Sequence, residues 1–319
     1  MKKWISSLLC VVLAVQLCAC TGGSADTEPE KDGTTAPVES IVSDSPLSDG
    51  KTLKLLAITS SFGLNTTEYL YDIAVAHGAE DVIVGRLYFS GCALDEHVAF
   101  ANENAMKYTY TKIGSESGQW KTMDAVNMEY GIKDEDWDII FIQQSAHESS
   151  QVDTYKDYID QLMEYVNKTK TNPNSRYIWN LTWAFQGDCT DKVFDLYNKD
   201  QLRMYQSIVD AVNEKVVPRT DIAAISPTGT AIQNVRTSYI GDTLTRDTLH
   251  LNELGRIIAG YTLYGALTDK PIESFDLGYI DGLPALTDTD KALILEAVNA
   301  ALDKPFEVTQ SSYTERPAS

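Results

Sequence analysis

The sequence Asp138-Ile-Ile-Phe-Ile142 is almost entirely apolar and lacks the alternation that marks a strand with one face in water. Such a run is typical of a strand buried on both faces of a parallel sheet. Further strands are predicted at 53–58, 81–89, 176–182 and 222–225, and a β-hairpin at 107–120. Helical patterns fit 66–76, 94–106, 155–166, 196–217, 253–267 and 288–302. This alternation predicts an α/β domain with a central parallel sheet of about five strands, covered by helices on both faces.

The N-terminal part of the chain differs from this domain in composition. Residues 1–19 carry a basic start and an apolar stretch that is short for a bilayer span, which is typical of a secretory signal peptide. They end in Leu17-Cys-Ala-Cys20, which resembles a bacterial lipobox and would make Cys20 the lipidated first residue. A plain signal peptide that contains cysteines is the alternative. We therefore expect an extracytoplasmic protein of the bacterial cell envelope, held at the membrane only by its N-terminal lipid.

The domain boundaries follow from the same shifts in composition. Residues 20–50 are rich in Thr, Ser, Gly, Pro and acidic residues, which predicts a flexible acidic tether. Residues 308–319 are predicted to be a disordered tail. The folded domain is then expected at 51–307.

Composition also excludes several function classes. The chain has 319 residues, with 46 acidic and 26 basic ones, and its net charge of −20 repels phosphate backbones, so nucleic acid is not expected as a partner. Five cysteines do not make a disulfide scaffold, and Cys92 and Cys189 are expected to be unpaired. The histidines are scattered, and neither a metal-ligand spacing nor a glycine-rich phosphate loop occurs, so no metal or cofactor is predicted.

Polar residues collect where the predicted strands end, which is where parallel sheets bind ligands. They are Thr59–Ser61, Ser90–Cys92, Gln143–Ser145 and Thr182–Trp183. Near the C-terminus, Asp247 precedes His250 by three residues, a spacing that brings a carboxylate to an imidazole within one turn. Such a pair would supply the base that a nucleophilic serine needs.

The other candidate side chains allow two interpretations. His77 is expected to cap a helix, and His97 lies either at the surface of a helix or in a site. His147 would line a cleft, and the sequence shows no obvious acid to orient it. Trp183 belongs either to the core or to a platform on which a sugar ring stacks.

Six blocks of the sequence resemble the SGNH hydrolases, the GDSL-type esterases. They are similar above all to a branch of bacterial secreted SGNH-like proteins that is classed as a domain of unknown function. The blocks lie at 56–62, 88–97, 137–144, 182–184, 227–236 and 246–256, within a resemblance that spans about 53–266. The last two blocks are the most specific.

This resemblance implies a flavodoxin-like three-layer α/β/α sandwich, the SGNH hydrolase fold. It implies a triad in which Ser61 is the nucleophile, His250 the base and Asp247 the residue that orients the base. The oxyanion would be bound by the amides of Ser61 and Gly91 and by a side-chain amide. That side chain would be Gln144, with Gln143 as the fallback; by position, the Ser145 hydroxyl is a third possibility as donor. His97 belongs to the branch pattern, and His97 and Trp183 are the candidate substrate contacts.

The sequence departs from the family pattern at two of its blocks. Thr59-Ser60-Ser61 stands in place of Gly-Asp-Ser, and the third block has no Gly-x-Asn-Asp. Ser61 is favoured over Ser60 because it directly precedes the aromatic Phe62.

The resemblance implies a serine esterase that acts through an acyl-enzyme, with a carbohydrate O-acetylesterase as the first expectation. Its partner would be an acylated small molecule or glycan. The alternatives are a non-catalytic glycan-binding lipoprotein on a degenerate SGNH scaffold, and a lipase or thioesterase.

Overall fold

The computed structural model describes residues 51–278 and 285–316. Seven strands form one sheet in the order β4-β3-β2-β1-β5-β6-β7. They are β1 (Thr52–Thr59), β2 (Asp81–Tyr88), β3 (Tyr108–Gly114), β4 (Lys121–Val126), β5 (Ile139–Ile142), β6 (Arg176–Asn180) and β7 (Ile222–Ser226). The five strands from β2 to β7 in this order are parallel, which confirms the predicted core of the sheet. The hairpin of β3 and β4 extends the sheet antiparallel to β2 and ends later than predicted, at Val126.

The central position of β5 explains its sequence. It pairs with β1 on one side and with β6 on the other, and all four of its residues, Ile139–Ile142, are fully buried. Helices cover both faces of the strand, so no side chain in it meets water and the apolar run is unbroken.

Nine helices in the described residues complete the α/β/α arrangement. They are α1 (Ser61–Thr67), α2 (Leu70–Ala76), α3 (Leu94–Asn102), α4 (Met128–Lys133), α5 (Tyr158–Thr169), α6 (Gln201–Lys215), α7 (Thr228–Arg236), α8 (Glu253–Thr268) and α9 (Asp288–Asp303). Helices α1, α2, α7, α8 and α9 pack in one group, and α3, α4 and α5 in another. None of the helices in these ranges is long and apolar enough to cross a membrane.

Three helical segments differ from the sequence prediction. The helix expected at 66–76 is divided into α1 and α2, and the one expected at 196–217 begins as a 3-10 turn at Lys192–Tyr197 before α6. Helix α7 was not predicted. All nine of its residues are buried although five of them are polar, so its buried surface is not the apolar face that makes a helix recognisable.

The C-terminal segment expected to be disordered differs in its described part, 308–316. The Thr309 amide donates to Asn234 at 2.7 Å, and the Ser311 amide donates to the Thr237 hydroxyl at 2.8 Å. The Ser311 hydroxyl also donates to Glu296 of α9 at 2.8 Å. Polar pairing of this kind leaves no apolar pattern in the sequence. The predicted signal peptide, Cys20 and the tether lie outside the described residues, as do residues 317–319.

Candidate active site

Ser61 and His250 meet at the carboxyl end of β1. Ser61 is the first residue of α1, preceded by Ser60 in an extended conformation as the N-cap. The Ser61 Oγ lies 2.9 Å from His250 Nε2, and His250 Nδ1 lies 2.8 Å from Asp247 Oδ2. The three residues expected to form a triad are therefore in one continuous chain of hydrogen bonds.

The turn at Asp247–His250 fixes the orientation of the imidazole. The Asp247 Oδ1 accepts the amide of His250 at 2.7 Å and that of Leu249 at 3.2 Å, while Oδ2 takes the ring. Thr248 adopts a φ of +69°, and an antiparallel bridge between Thr245 and Leu251 closes the turn. The orientation of the ring therefore depends on the conformation of the whole turn, and not on the Asp-x-x-His spacing alone.

The charge of Asp247 determines which ring nitrogen carries the proton. Burial raises the pKa of the Asp247 carboxyl, but the hydrogen bonds from the His250 amide, the His250 ring and the Leu249 amide hold that pKa below its ordinary value. An ionised carboxylate only accepts hydrogen bonds, so His250 Nδ1 donates to it. His250 Nε2 is left to accept the proton of the Ser61 hydroxyl.

Trp183 supports both ends of this chain from the core. Its ring stacks on Phe62 with centroids 3.9 Å apart, and its Nε1 donates to the Leu249 carbonyl at 2.8 Å. Trp183 is fully buried, so the predicted role as a sugar platform is wrong. The reason is that β6 ends at Asn180 and the chain then turns inward beneath the His250 turn.

Two further contacts hold α1 in place. The Leu251 amide donates to the buried Asn65 side chain at 2.9 Å, which ties the His250 turn to α1. A Cβ at Gly63 would lie 1.8 Å from the Thr59 Oγ1, so only glycine allows α1 to pack this closely on β1.

Ser60 points into the core and away from the base. Its Oγ accepts from Gln143 Nε2 at 3.3 Å, and the Gln143 carbonyl oxygen accepts from Asn180 at 2.9 Å. The Asn180 carbonyl oxygen in turn accepts from the Thr228 hydroxyl at 2.8 Å, and all four residues are buried. The structure thus places Ser61, and not Ser60, beside His250.

Gln144 is occupied by structural contacts. Its carbonyl oxygen accepts the amides of Leu94 at 3.0 Å and Ser145 at 2.8 Å, and its Nε2 donates to Thr154 at 3.1 Å. The side chain is fully buried, so the expectation that Gln144 is the oxyanion donor is wrong. Alternation after β5 turns Gln144 toward α3, while Gln143 lies against the nucleophile turn.

The backbone amides of Ser61 and Gly91 lie at the ends of neighbouring strands. The Phe89 amide donates to the Thr59 carbonyl at 3.2 Å, which joins the two strand ends. Gly91 has a φ of +67°, and a Cβ there would meet nothing within 4 Å. Neither amide donates to an acceptor within 51–278 or 285–316, so both can bind an oxyanion.

His97 is a core residue. It is 1% exposed, its Nδ1 lies 2.8 Å from the Tyr108 hydroxyl, and the two rings are nearly parallel. Burial lowers the pKa of His97 to about 3, so the ring is neutral. The expectation that His97 contacts substrate is wrong, because α3 presses this side chain against β3.

His147 does have an orienting acid. Its Nε2 lies 3.2 Å from Asp191 Oδ2, and Asp191 also caps the turn at Lys192–Tyr197. Sequence reasoning missed Asp191 because it follows a different strand, 44 residues away. The sequence signal for Asp191 is its place in the polar segment that follows the predicted strand at 176–182.

The other histidine and the two thiols of the domain have structural positions. His77 is the C-cap residue of α2, and Cys92 and Cys189 are free, buried thiols. Among the described residues, no group of three His, Cys, Asp or Glu side chains is arranged to hold a metal ion.

The triad lies at an open surface. The side chain of His250 is 26% exposed and that of Asp247 is 46% exposed. Two cavities, of about 370 and 420 Å³, lie elsewhere: one at the amino ends of β1 and β6, near Lys54 and Asn172, and one beside α4. The catalytic imidazole and its carboxylate are thus both accessible from solvent.

Comparison with known proteins gives two kinds of match. Residues 54–278 match the family described as domain of unknown function DUF4886. The crystal structure of a DUF4886 family protein from Bacteroides uniformis ATCC 8492 is 32% identical, with a TM-score of 0.75 over 82% of this chain and 98% of that one. A proposed SGNH hydrolase from Slackia heliotrinireducens is 18% identical, with a TM-score of 0.44 over 68% of this chain and 100% of that one; this likeness is too distant to support an inference. No curated protein matches the chain.

Proposed function

Because the chain belongs to the DUF4886 family, whose description assigns no activity, we propose from the site itself that this protein is a serine esterase that removes O-acetyl groups from carbohydrate. The observation that carries the proposal is the chain from Ser61 Oγ through the His250 ring to Asp247, with contacts of 2.9 and 2.8 Å. A nucleophile, a base and an orienting acid in mutual contact are the machinery of acyl transfer.

Acylation begins when Ser61 Oγ attacks the carbonyl carbon of the ester. His250 Nε2 takes the hydroxyl proton, and Asp247 stabilises the imidazolium that forms. The negative charge on the former carbonyl oxygen is bound by the amides of Ser61 and Gly91. The Gln143 side chain is 2% exposed and its Nε2 donates to Ser60 Oγ, so it supports the nucleophile turn from the core and is not a third donor. Collapse of this intermediate breaks the ester C–O bond, and His250 returns the proton to the leaving alcohol.

Deacylation repeats these steps with water. His250 removes a proton from a water molecule, whose oxygen attacks the acyl group on Ser61. The second tetrahedral intermediate breaks the bond to Ser61 Oγ and releases the carboxylic acid. His250 then returns the proton to Ser61, and the site is regenerated.

The exposed groups around the triad support a polar substrate. Arg246 lies beside Asp247 and is 47% exposed. His147 is 43% exposed and follows β5, which lies on the other side of β1 from the strand that Gly91 follows. Such groups bind hydroxyl-rich alcohols better than long apolar acyl chains. This favours a short acyl group on a carbohydrate over the lipase alternative.

The proposed location is the outer face of the membrane, where envelope glycans are found. Its basis is the lipobox-like Leu17–Cys20 together with the acidic segment that follows it. Replacement of Cys20 by serine should move the protein from the membrane fraction to the soluble fraction and abolish uptake of labelled palmitate. A Cys20→Ser variant that still pellets with membranes, from a wild type that takes up no palmitate, would contradict the lipid anchor.

The activity is tested with a series of p-nitrophenyl esters from acetate to octanoate and with a fluorophosphonate probe for the reactive serine. We expect acetate to be the best substrate and the wild type to be labelled. Ser61→Ala and His250→Ala should lose both turnover and labelling. Ser60→Ala is the matched control, because its hydroxyl faces Gln143, and it should still be labelled. A wild type that neither hydrolyses the esters nor takes the probe, yet binds glycans, would establish the binding-protein alternative.

A further inference from the structure

A second exposed imidazole lies at the same edge of the sheet as the triad and is not used by the proposed chemistry. His147 follows β5, the strand that pairs directly with β1, and Asp191 lies in the segment that follows β6. Both therefore lie beyond the carboxyl ends of strands, His147 at the strand next to the one that positions Ser61 and Asp191 one strand further along the sheet. In a parallel sheet this edge is where ligands bind.

The His147 ring is held on two sides. Its Nε2 contacts Asp191 Oδ2 at 3.2 Å, and its edge packs against the buried ring of Phe185 with centroids 5.8 Å apart. The carboxylate of Asp191 is itself fixed by the Val193 amide at 2.8 Å. The ring is thus oriented while 43% of its side chain is exposed.

The segment that holds His147 also supports the catalytic turn. The Gln186 amide donates to the Thr248 carbonyl at 2.9 Å, and the Thr245 hydroxyl donates to the Gln186 side chain. Phe185 and Gln186 are adjacent, so one short piece of chain contacts His147 on one side and the His250 turn on the other. His147 is consequently part of the rim of the open site.

The available hydrogen-bonding group on His147 is Nδ1. Because Asp191 accepts, Nε2 carries a proton, and the neutral ring presents the Nδ1 lone pair as an acceptor. Nδ1 has no hydrogen-bond partner in the part of the chain that the structure describes. An oriented, exposed acceptor of this kind matches a hydroxyl donor of a sugar.

We propose that His147, oriented by Asp191 and Phe185, is a substrate-binding residue that accepts a hydrogen bond from a hydroxyl group of the carbohydrate whose ester Ser61 attacks. This inference rests on the proposed function, since it assigns the alcohol part of the substrate to the His147 side of the site. It makes His147 a specificity residue for hydroxylated alcohols, with no part in proton transfer.

The test compares two esters that share a ring and differ in its hydroxyl groups. Methyl 6-O-acetyl-glucoside carries ring hydroxyls, and tetrahydropyran-2-ylmethyl acetate has the same oxygen-containing ring without them. We expect wild type to prefer the sugar ester, and His147→Ala to lower that preference, as a ratio of kcat/KM, about five- to tenfold through KM, the size of one lost hydrogen bond. Asp188→Asn is the matched control, because this exposed residue of the same segment contacts Gln186 and not His147, and it should keep the wild-type preference.

A second measurement does not depend on turnover. The full chain carrying Ser61→Ala is titrated with the sugar ester, and the NMR shifts of the His147 ring are followed. We expect those shifts to move on titration, and the affinity to fall about five- to tenfold when His147→Ala is added, as measured by calorimetry.

The outcomes separate this inference from the proposed function. Hydrolysis of both esters with an unchanged preference in His147→Ala, and no shift of the His147 ring, would overturn the inference and leave the esterase standing. Absence of hydrolysis and of probe labelling, with His147 still shifting on addition of the sugar ester, would overturn the esterase and retain His147 as a sugar contact. Absence of hydrolysis and of any shift would overturn both.

Discussion

Trp183 and Phe62 stack face to face, with ring centroids 3.9 Å apart and planes 9° from parallel. Phe62 directly follows the nucleophile, and the Trp183 Nε1 holds the carbonyl of Leu249, which directly precedes the base. One buried indole therefore sets the distance between two segments that lie 189 residues apart in the chain. The contact places Trp183 behind the reacting atoms, as a positioning residue.

Trp183→Phe should keep the stack on Phe62 and lose the donor to Leu249. We expect a decrease in kcat of about tenfold and a destabilisation of about 1 kcal/mol, the net contribution of one hydrogen bond. The measurements are p-nitrophenyl acetate turnover and urea unfolding. Trp179→Phe is the matched control on β6, because Trp179 packs against Tyr155, and it should lower stability without lowering kcat. Equal kcat values for the two variants would show that Trp183 does not position the base.

Asp247→Asn should decrease kcat by about 10⁴-fold, as the equivalent change does in a serine protease. The asparagine lacks the negative charge that stabilises the imidazolium. Its amide nitrogen can donate to His250 Nδ1, which favours the tautomer whose Nε2 carries the proton and cannot act as the base. The decrease is measured with p-nitrophenyl acetate, together with the melting temperature. A folded Asp247→Asn variant with more than a tenth of the wild-type rate would show that the acid is dispensable.

Gln143→Ala and Gln144→Ala should differ in their effects on kcat and on the free energy of unfolding. Gln143→Ala removes the buried partner of Ser60, directly before the nucleophile, so it should decrease kcat by up to about 10²-fold, the cost of a displaced reacting group. Gln144→Ala should instead lower the free energy of unfolding by about 1–3 kcal/mol, because the amides of Leu94 and Ser145 lose their buried acceptor. A larger decrease in kcat for Gln144→Ala than for Gln143→Ala would reverse these assignments.

His97 should make the stability of the protein depend on pH below neutrality. Burial lowers the pKa of His97 from 6.5 to about 3, so between these values the unfolded chain binds a proton that the folded chain does not. Stability is fully present above pH 6.5 and is lost as the pH falls, by about 3 kcal/mol near pH 4 from this residue alone. Burial also lowers the pKa of His77, which acts in the same direction.

The contribution of His97 is isolated by comparing wild type with His97→Phe in urea at pH 7.0, 5.5 and 4.5. The phenyl ring retains the packing on Tyr108 and cannot take up a proton. The pH dependence of the unfolding free energy should therefore be weaker in the variant by about one proton. Asp72 and Glu148, whose pKa values burial raises, act in the opposite sense and are common to both proteins. Identical slopes would mean that His97 is accessible to water.

Most of the fold could be predicted because strands and helices produce characteristic patterns of apolar residues over short stretches of sequence. The run at Ile139–Ile142 indicated a doubly buried strand, and alternation of strands with helices indicated a parallel sheet. Helix α7 was not predicted because five of its nine buried residues are polar, so its burial leaves no apolar pattern in the sequence. The order of segment 308–316 was not predicted because hydrogen bonds to Asn234 and Glu296 hold it, and hydrogen bonding leaves no hydrophobic signature.

The amino-acid pattern was enough to identify the candidate residues: the strand ends, the Asp247–His250 spacing and the serine before Phe62. The choice among them required the folded structure. In the fold, Ser60 and Gln144 make structural hydrogen bonds away from His250. His97 and Trp183 are buried, and Asp191 contacts His147. The physical reason is that chain spacing fixes geometry only within a turn, whereas exposure and the direction of a side chain depend on the elements that pack against it from far along the chain.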